Sequence, residues 1–531
     1  MMSALPSGTA AANEATIVEH RFVRLNLIGF AAYCLFVLLA KWIGFSAAVF
    51  DHAKEIYHAQ ELRWIYDAAN PPLYTWLLHG FQHVFGVRLA TTLILNQLLL
   101  FLIFVSSFVL ARRVLGAPVP AALAAWSLML VGQYHKFLYT MSHSLLAAIF
   151  CPLMLWLLLR IAAERRLSDY AAAGVVLALG LLSKFLFLAA FLAAVIAALS
   201  LRAMRPGVLN PKFALTLAIA AAVFVPFVVA GKDQWSRLTS IFRSRSGADQ
   251  AASYLAGLAD GLGSFSASVA EYGVALAVTA ALAIWLPIGV RQRLPAEQVA
   301  SKSNPDNIRF VGHVVLAGLV LVLVAVLAAG VSIIKPRFVH IFLFPLPILA
   351  VAFVAARRPG GVALRRYGLL LGLIGAGILA VRVVNTTAVC TGRCEDLVPV
   401  DRLSKHLVAA GFRQGTIFAH GVRLGGNLVL RFPGSRVDVA VDPFAPASPP
   451  AGRRGQCLIV WEDGAVRGGG MPATLLAAAG VPSERAKVSM RSITLDWRWH
   501  GVAVVDPGRG WRPRRTTWRY ILLPDGTPSC R

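Results

Sequence analysis

Phe50 to Leu78 reads FDHAKEIYHAQELRWIYDAANPPLYTWLL. The stretch is polar in its first half, breaks at Asn70-Pro71-Pro72-Leu73, and turns apolar and aromatic from Leu73 onward. An apolar run near 25–45 precedes it and another near 88–110 follows, each about as long as a membrane crossing requires. Asp51, His52, Lys54, Glu55 and His58 therefore gather beside the outer end of the first span. Two prolines fix the backbone and forbid a continuous helix. Leu73 to Phe85 is too short to span, which suits a helix lying on the membrane surface or re-entering it. A loop of this kind can set a base at a membrane surface.

The rest of the chain agrees with a membrane setting. Of 531 residues, 57% are hydrophobic and 14% charged, where a soluble domain carries about a quarter charged. Hydropathy marks about eleven spans, near 25–45, 88–110, 117–131, 143–161, 169–183, 186–201, 213–231, 271–290, 311–331, 338–356 and 367–384. Residues 1–20 are polar and read as a disordered cytoplasmic tail, without the cleavage-site signature of a signal peptide. The net charge is +26, from 51 Lys and Arg against 25 Asp and Glu. These cations are scattered between spans rather than gathered on one module, which argues against nucleic acid and points to membrane lipids and phosphate-bearing substrates.

With the N-terminus inside, the inner loops contain Arg112-Arg113, Arg160 to Arg166, Arg202 to Lys212, Arg291 to Arg309 and Arg357 to Arg366, as the positive-inside rule demands. The outer side then carries Phe50 to Leu73, Gly132 to Ser142, Gly231 to Ala270, Lys335-Pro336-Arg337 and the chain from about Asn385. In that last part the long apolar runs stop. Short runs at Thr416–Ala419, Val437–Val441 and Leu458–Trp461, helical patterns near 399–410 and 472–479, and a Pro/Gly-rich loop at 443–455 suggest one small soluble α/β domain. Cys34 and Cys151 read as packing residues in spans. Cys390, Cys394, Cys457 and Cys530 all fall in the outer part, where disulfides form, and three pairings are open.

Each candidate for chemistry has a plainer reading beside it. A partly desolvated Asp51 has a raised proton affinity and can act as a base; equally, it can cap a helix running from Asp51 to Tyr66. Glu55 lies one turn along on the same face, with His52 and His58 near it. Lys184 interrupts the apolar run LALGLLSKFLFLAAFL, either for function or snorkelling to the interface. Lys335, Arg337 and His340 form a basic group at an outer mouth, joined by Lys232, Arg237, Arg243 and Arg245, and suit a phosphate or a lipid headgroup. His143 opens the fourth span after Tyr134, His135 and Lys136, where a hydrogen-bonded interfacial histidine is the common case.

These residues resemble those of the GT-C membrane glycosyltransferases, specifically the family-39-like group that includes protein O-mannosyltransferases and the aminoarabinose and galacturonic acid transferases of bacterial lipopolysaccharide. The resemblance covers roughly residues 20–360. It rests on Asp51 after the first span, on Pro71-Pro72-Leu73-Tyr74-Thr75-Trp76, on Leu182-Ser183-Lys184, and on Lys335-Pro336-Arg337-Phe338 followed by Phe344-Pro345. It implies an α-helical polytopic GT-C fold; with the C-terminal soluble α/β domain read from the composition, the chain divides as 1–20 tail, 21–384 transmembrane domain and 385–531 periplasmic domain. The implied reaction takes a sugar from a polyprenyl-phosphate donor to an acceptor on the periplasmic face of the bacterial inner membrane, with inversion. Asp51 is then the base. His52, Glu55, Asn70, Tyr74, His143, Lys184, Lys335 and Arg337 are the substrate-binding set. The acceptor is lipopolysaccharide, another envelope glycolipid or a protein. No cofactor is certain from the residues, and a divalent metal is left open. The chain departs from the family pattern at His52, where a second acidic residue is usual, at His143 in place of an Asp, and at Asn70 in place of a Lys. Two other readings stand beside this one: a transporter or flippase of a lipid-linked sugar precursor, which would line a midplane path with polar groups, and a catalytically silent scaffold.

Overall fold

The structure is a computed structural model and describes residues 8–66, 70–132, 134, 142–232, 254–286, 304–357, 361–384, 388–390, 392–439, 455–464 and 471–524. Among the described residues, the regular elements of its membrane part are helices. In chain order the helices are α1 (Gly8–Gly44), α2 (Phe50–His58), α3 (Leu73–Phe85), α4 (Leu89–Leu115), α5 (Pro118–Trp126), α6 (Ser142–Glu164), α7 (Leu167–Ser183), α8 (Phe187–Ser200), α9 (Phe213–Ala230), α10 (Tyr254–Trp285), α11 (Pro305–Ala329), α12 (Pro336–Leu343), α13 (Leu346–Arg357) and α14 (Val362–Val384). Seven of the described helices are long and apolar enough to cross a membrane, or eight spans if α12 and α13 count as one. Those two meet at a 49° bend, where Pro345 cannot supply a helical amide. With the shorter apolar helices Pro118–Leu130, α7 and α8, they fall on the stretches expected from hydropathy.

Residues 8–20, expected to be disordered, form the first turns of α1; Ala10, Ala11, Ala12 and Ala15 are strong helix formers. The helices start and stop by ordinary local chemistry. Asn304 caps α11 by accepting from the Asp306 amide at 3.0 Å, and Pro305 takes the first position. Contacts between spans are close where side chains are small: a Cβ on Gly174 of α7 would lie 2.9 Å from the Thr216 carbonyl oxygen of α9. There the Thr216 hydroxyl donates to the Tyr170 carbonyl at 2.8 Å. The basic residues gather at one end of the bundle, with Arg160 bridging Asp169 at 3.0 Å and Lys212 donating to the Arg165 carbonyl at 3.2 Å. At the other end lie α2, the α7–α8 turn, the start of α6 and the start of α12.

A second layer covers that other end. It holds α15 (Val400–Ala409), β1 (Gly415–Ala419), α16 (Val422–Arg431), β2 (Arg436–Val439), β3 (Gln456–Glu462), α17 (Ala473–Ala478), α18 (Ser483–Ser489), β4 (Arg491–Asp496) and β5 (Arg515–Leu523). The sheet runs β2-β1-β3-β5-β4; β1 is parallel to both its neighbours, and β5 is antiparallel to β3 and β4. Trp461 and Trp518 are buried in it. The expected short strands and both helical patterns are present, while most of the 443–455 loop lies outside the described residues. Cys390 and Cys394 are bonded to each other. Cys457 is disulfide-bonded too, Cys530 lies outside the described residues, and Cys34 and Cys151 are buried free thiols.

Candidate active site

The site is built on α2. Val49 gives this helix no side-chain cap, and Asp51 stands in its first turn, where free amides and the helix dipole favour a carboxylate. The helix ends at His58 rather than continuing to Tyr66. Beyond it the Tyr66 hydroxyl accepts from the Arg63 amide and donates to the Glu61 carbonyl, both at 2.8 Å, closing a turn instead.

The two carboxylates of α2 are treated differently. Glu55 is buried and both its oxygens are committed: Oε1 accepts from His143 Nε2 at 2.9 Å and Oε2 from the Thr75 hydroxyl at 2.6 Å. Burial alone would raise its pKa, but His143, the hydrogen bond from it, Lys54 and His58 outweigh burial and hold the carboxyl well below the usual range. Asp51 is half-buried, and among the described residues no hydrogen bond or ion pair ties it down. Burial raises its pKa by more than Lys54 and Arg337 lower it.

Cations reach this carboxylate from several elements. Lys54 is on α2 itself, and Arg337 is in the first turn of α12, its guanidinium 5.4 Å from the Phe338 ring centroid. Lys184 ends α7 in an extended conformation and donates from Nζ to the Ser144 hydroxyl of α6 at 2.5 Å, within electrostatic reach of both Asp51 and Arg337. His340 is buried and donates from Nδ1 to the Arg337 carbonyl at 2.8 Å, steadying that turn.

Behind the site, Asn96 of α4 joins two of the expected residues. Its carbonyl oxygen accepts from the Tyr74 hydroxyl at 2.8 Å, which turns its amide toward His52 Nε2 at 2.6 Å. His52 therefore accepts, as a neutral ring must; burial pushes its pKa down to about 3. Among the described residues, no group of three or more His, Cys, Asp or Glu converges to hold a metal ion.

Residues 69–229 match the family described as dolichyl-phosphate-mannose-protein mannosyltransferase. The chain is 27% identical over 414 residues to the lipopolysaccharide core galacturonosyltransferase RgtB of Rhizobium johnstonii, spanning 77% of this chain and 81% of that one. It is 24% identical to RgtA of the same organism, a lipopolysaccharide core galacturonosyltransferase, over 81% of this chain and 85% of the other. The fold is similar to that of ArnT from Cupriavidus metallidurans bound to undecaprenyl phosphate, with a TM-score of 0.53 and 14% identity over 93% of this chain and 97% of that one. Together these likenesses support a membrane glycosyltransferase with a GT-C fold.

In this glycosyltransferase Asp51, Glu55, His143, Lys184 and Arg337 come together although the sequence spreads them over four regions. His52 and Tyr74, expected to face substrate, are enclosed and instead brace α2 and α3 against α4. Lys335 is exposed ahead of α12. Asn70 is half-buried ahead of α3. His135, Lys136, Arg237, Arg243 and Arg245 lie outside the described residues. Sequence reading left Thr75, Asn96 and Ser144 out of the site. Asn96 alone had a usable signal, as a polar side chain inside an apolar span.

Proposed function

We propose that this glycosyltransferase moves a sugar from a polyprenyl-phosphate-linked donor to an acceptor hydroxyl at the periplasmic face of a bacterial inner membrane, with inversion at the anomeric carbon and Asp51 as general base. The observation that carries this reading is the contrast between the carboxylates of α2. Glu55 has both oxygens occupied, whereas Asp51 is half-buried, makes no hydrogen bond or ion pair among the described residues, and is faced by Lys54, Arg337 and Lys184. Asp51 takes the proton of the acceptor hydroxyl as that oxygen bonds to the anomeric carbon. The bond from that carbon to the phosphate oxygen breaks, and its electron pair leaves with the polyprenyl phosphate. The cations neutralise the departing charge. Because phosphate leaves readily, one carboxylate is enough, unlike the acid–base pair of glycosidases.

Several features support the finer points. The names of the curated relatives point to galacturonic acid as the sugar and the lipopolysaccharide core as the acceptor; undecaprenyl phosphate is bound by the fold neighbour. Basic residues at the far end of the bundle support an outward-facing site. On this reading 21–384 is the membrane catalytic domain and 385–531 the periplasmic domain. The test is transfer by purified Asp51→Asn enzyme in vesicles, with polyprenyl-phosphate galacturonic acid as donor and lipopolysaccharide core as acceptor. Loss of about 10²–10⁴-fold in kcat is expected for a general base. Wild-type turnover in a well-folded variant would refute the role of Asp51, and retained anomeric configuration in the product would refute inversion.

A further inference from the structure

The outer domain holds the segment that carries Asp51 along its whole length. At the near end, the buried Asn427 side chain of α16 pairs with the Ala48 backbone: Oδ1 accepts from its amide at 2.7 Å and Nδ2 donates to its carbonyl at 2.9 Å. The Asp396 carbonyl accepts from the Ser46 and Ala47 amides at 2.9 and 3.0 Å. Glu395 Oε2 accepts from the Phe50 amide at 2.8 Å, so a side chain of the outer domain serves the start of α2 that Val49 leaves uncapped. In the middle, α16 lies directly on α2, and a Cβ on Gly426 would fall 1.8 Å from the Ala53 carbonyl oxygen. At the far end, Gln60 pairs with the Val437 backbone through its amide nitrogen and oxygen, each at 3.0 Å. Arg436 bridges Glu61.

A helix of nine residues has too few turns to hold itself. The direction in which α2 presents Asp51 is therefore set by what grips it.

We propose that Asn427 and Gly426 are positioning residues for sugar transfer: through the Ala48 backbone and the body of α2, they fix where Asp51 meets the acceptor hydroxyl, which makes the outer domain part of the active site. The proposal rests on Asp51 as base; the grip itself does not. A displacement of about 1 Å at a reacting group is enough to cost about a hundredfold in rate.

The test uses the full chain in vesicles, with polyprenyl-phosphate galacturonic acid as donor. The variants are Asn427→Ala, Gly426→Ala, Asn427→Asp, which keeps an acceptor for the Ala48 amide, and Thr494→Ala on β4 as a control. Hydrogen exchange over residues 46–61 is expected to quicken about tenfold in Asn427→Ala and Gly426→Ala, the scale of one lost hydrogen bond, and to stay unchanged in the control. In both variants kcat should fall about a hundredfold with the donor KM held within about twofold, and Asn427→Asp should recover part of the loss. The acid limb of the rate profile should move to lower pH, because a loosened α2 lets water reach Asp51 and relieves the burial that raises its pKa against the pull of Lys54, Arg337 and His143, with Glu55 and Lys184 also facing it. Unchanged exchange at 46–61, or a lowered kcat with an unmoved acid limb, would overturn the proposal. A wild-type enzyme inactive with this donor would count against the functional reading alone, since exchange at 46–61 still decides the grip.

Discussion

Asp51 and Glu55 stand one helical turn apart and have opposite electrostatic circumstances, which makes their variants separable. Burial raises the Asp51 pKa, and a base works only when ionised. The rate should therefore fall as pH drops through a limb lying above the ordinary aspartate value of about 3.9. Arg337 pulls that pKa down, so Arg337→Ala should move the acid limb to higher pH while weakening donor binding; a profile of kcat/KM against pH reads both. Glu55→Ala removes the partner of His143 and Thr75 in a buried place. Leaving one member of a buried pair alone costs about 3–5 kcal/mol, so thermal denaturation in detergent should show a large loss. Asp51→Asn should leave the melting temperature nearly unchanged, because among the described residues its carboxylate makes no hydrogen bond or ion pair.

Between helices, the tightest contacts fall where glycine permits them. Gly174→Ala would force α7 from α9, since the new methyl group meets the Ile219 side chain at 2.8 Å as well as the Thr216 backbone. Overpacking of this kind costs about 1–3 kcal/mol, read as a lowered melting temperature with the donor KM little changed. The elements also show what sequence could and could not reveal. Long apolar runs such as Leu89–Leu115 declare themselves because lipid demands continuous hydrophobicity. The helix Val422–Arg431 escaped notice: VRLGGNLVLR carries two glycines and an asparagine, all poor helix formers. Gly426 and Asn427 let it press on α2 and the Ala48 backbone before it, so part of what hid the helix also gives it a role. Asn427 and Ala48 stand 379 residues apart, and no local pattern links them. Asp51, Lys184 and Arg337 could be named from the chain because each interrupts or borders an apolar run. Thr75 and Ser144 could not, since a small hydroxyl at a helix start is unremarkable until its partner is known.

For the molecule as a whole, the basic end and the site end are the two poles of one bundle, and the C-terminal layer sits on the site end. Ser492 is exposed on β4, while the free thiols Cys34 and Cys151 are buried. A Ser492→Cys variant should therefore react in intact spheroplasts with a membrane-impermeant maleimide. A cysteine at exposed Arg205 should react only after permeabilisation; the reverse pattern would invert the topology.

The pairing of Gln60 with Val437 has a further consequence. β2 is the edge strand of its sheet, and an open edge invites pairing with another chain. A side chain from the membrane part occupies that edge at Val437, and α2 shields the neighbouring helix. Cut away from its membrane half, the C-terminal domain would lose both covers at once and should self-associate, which light scattering of the isolated domain would read.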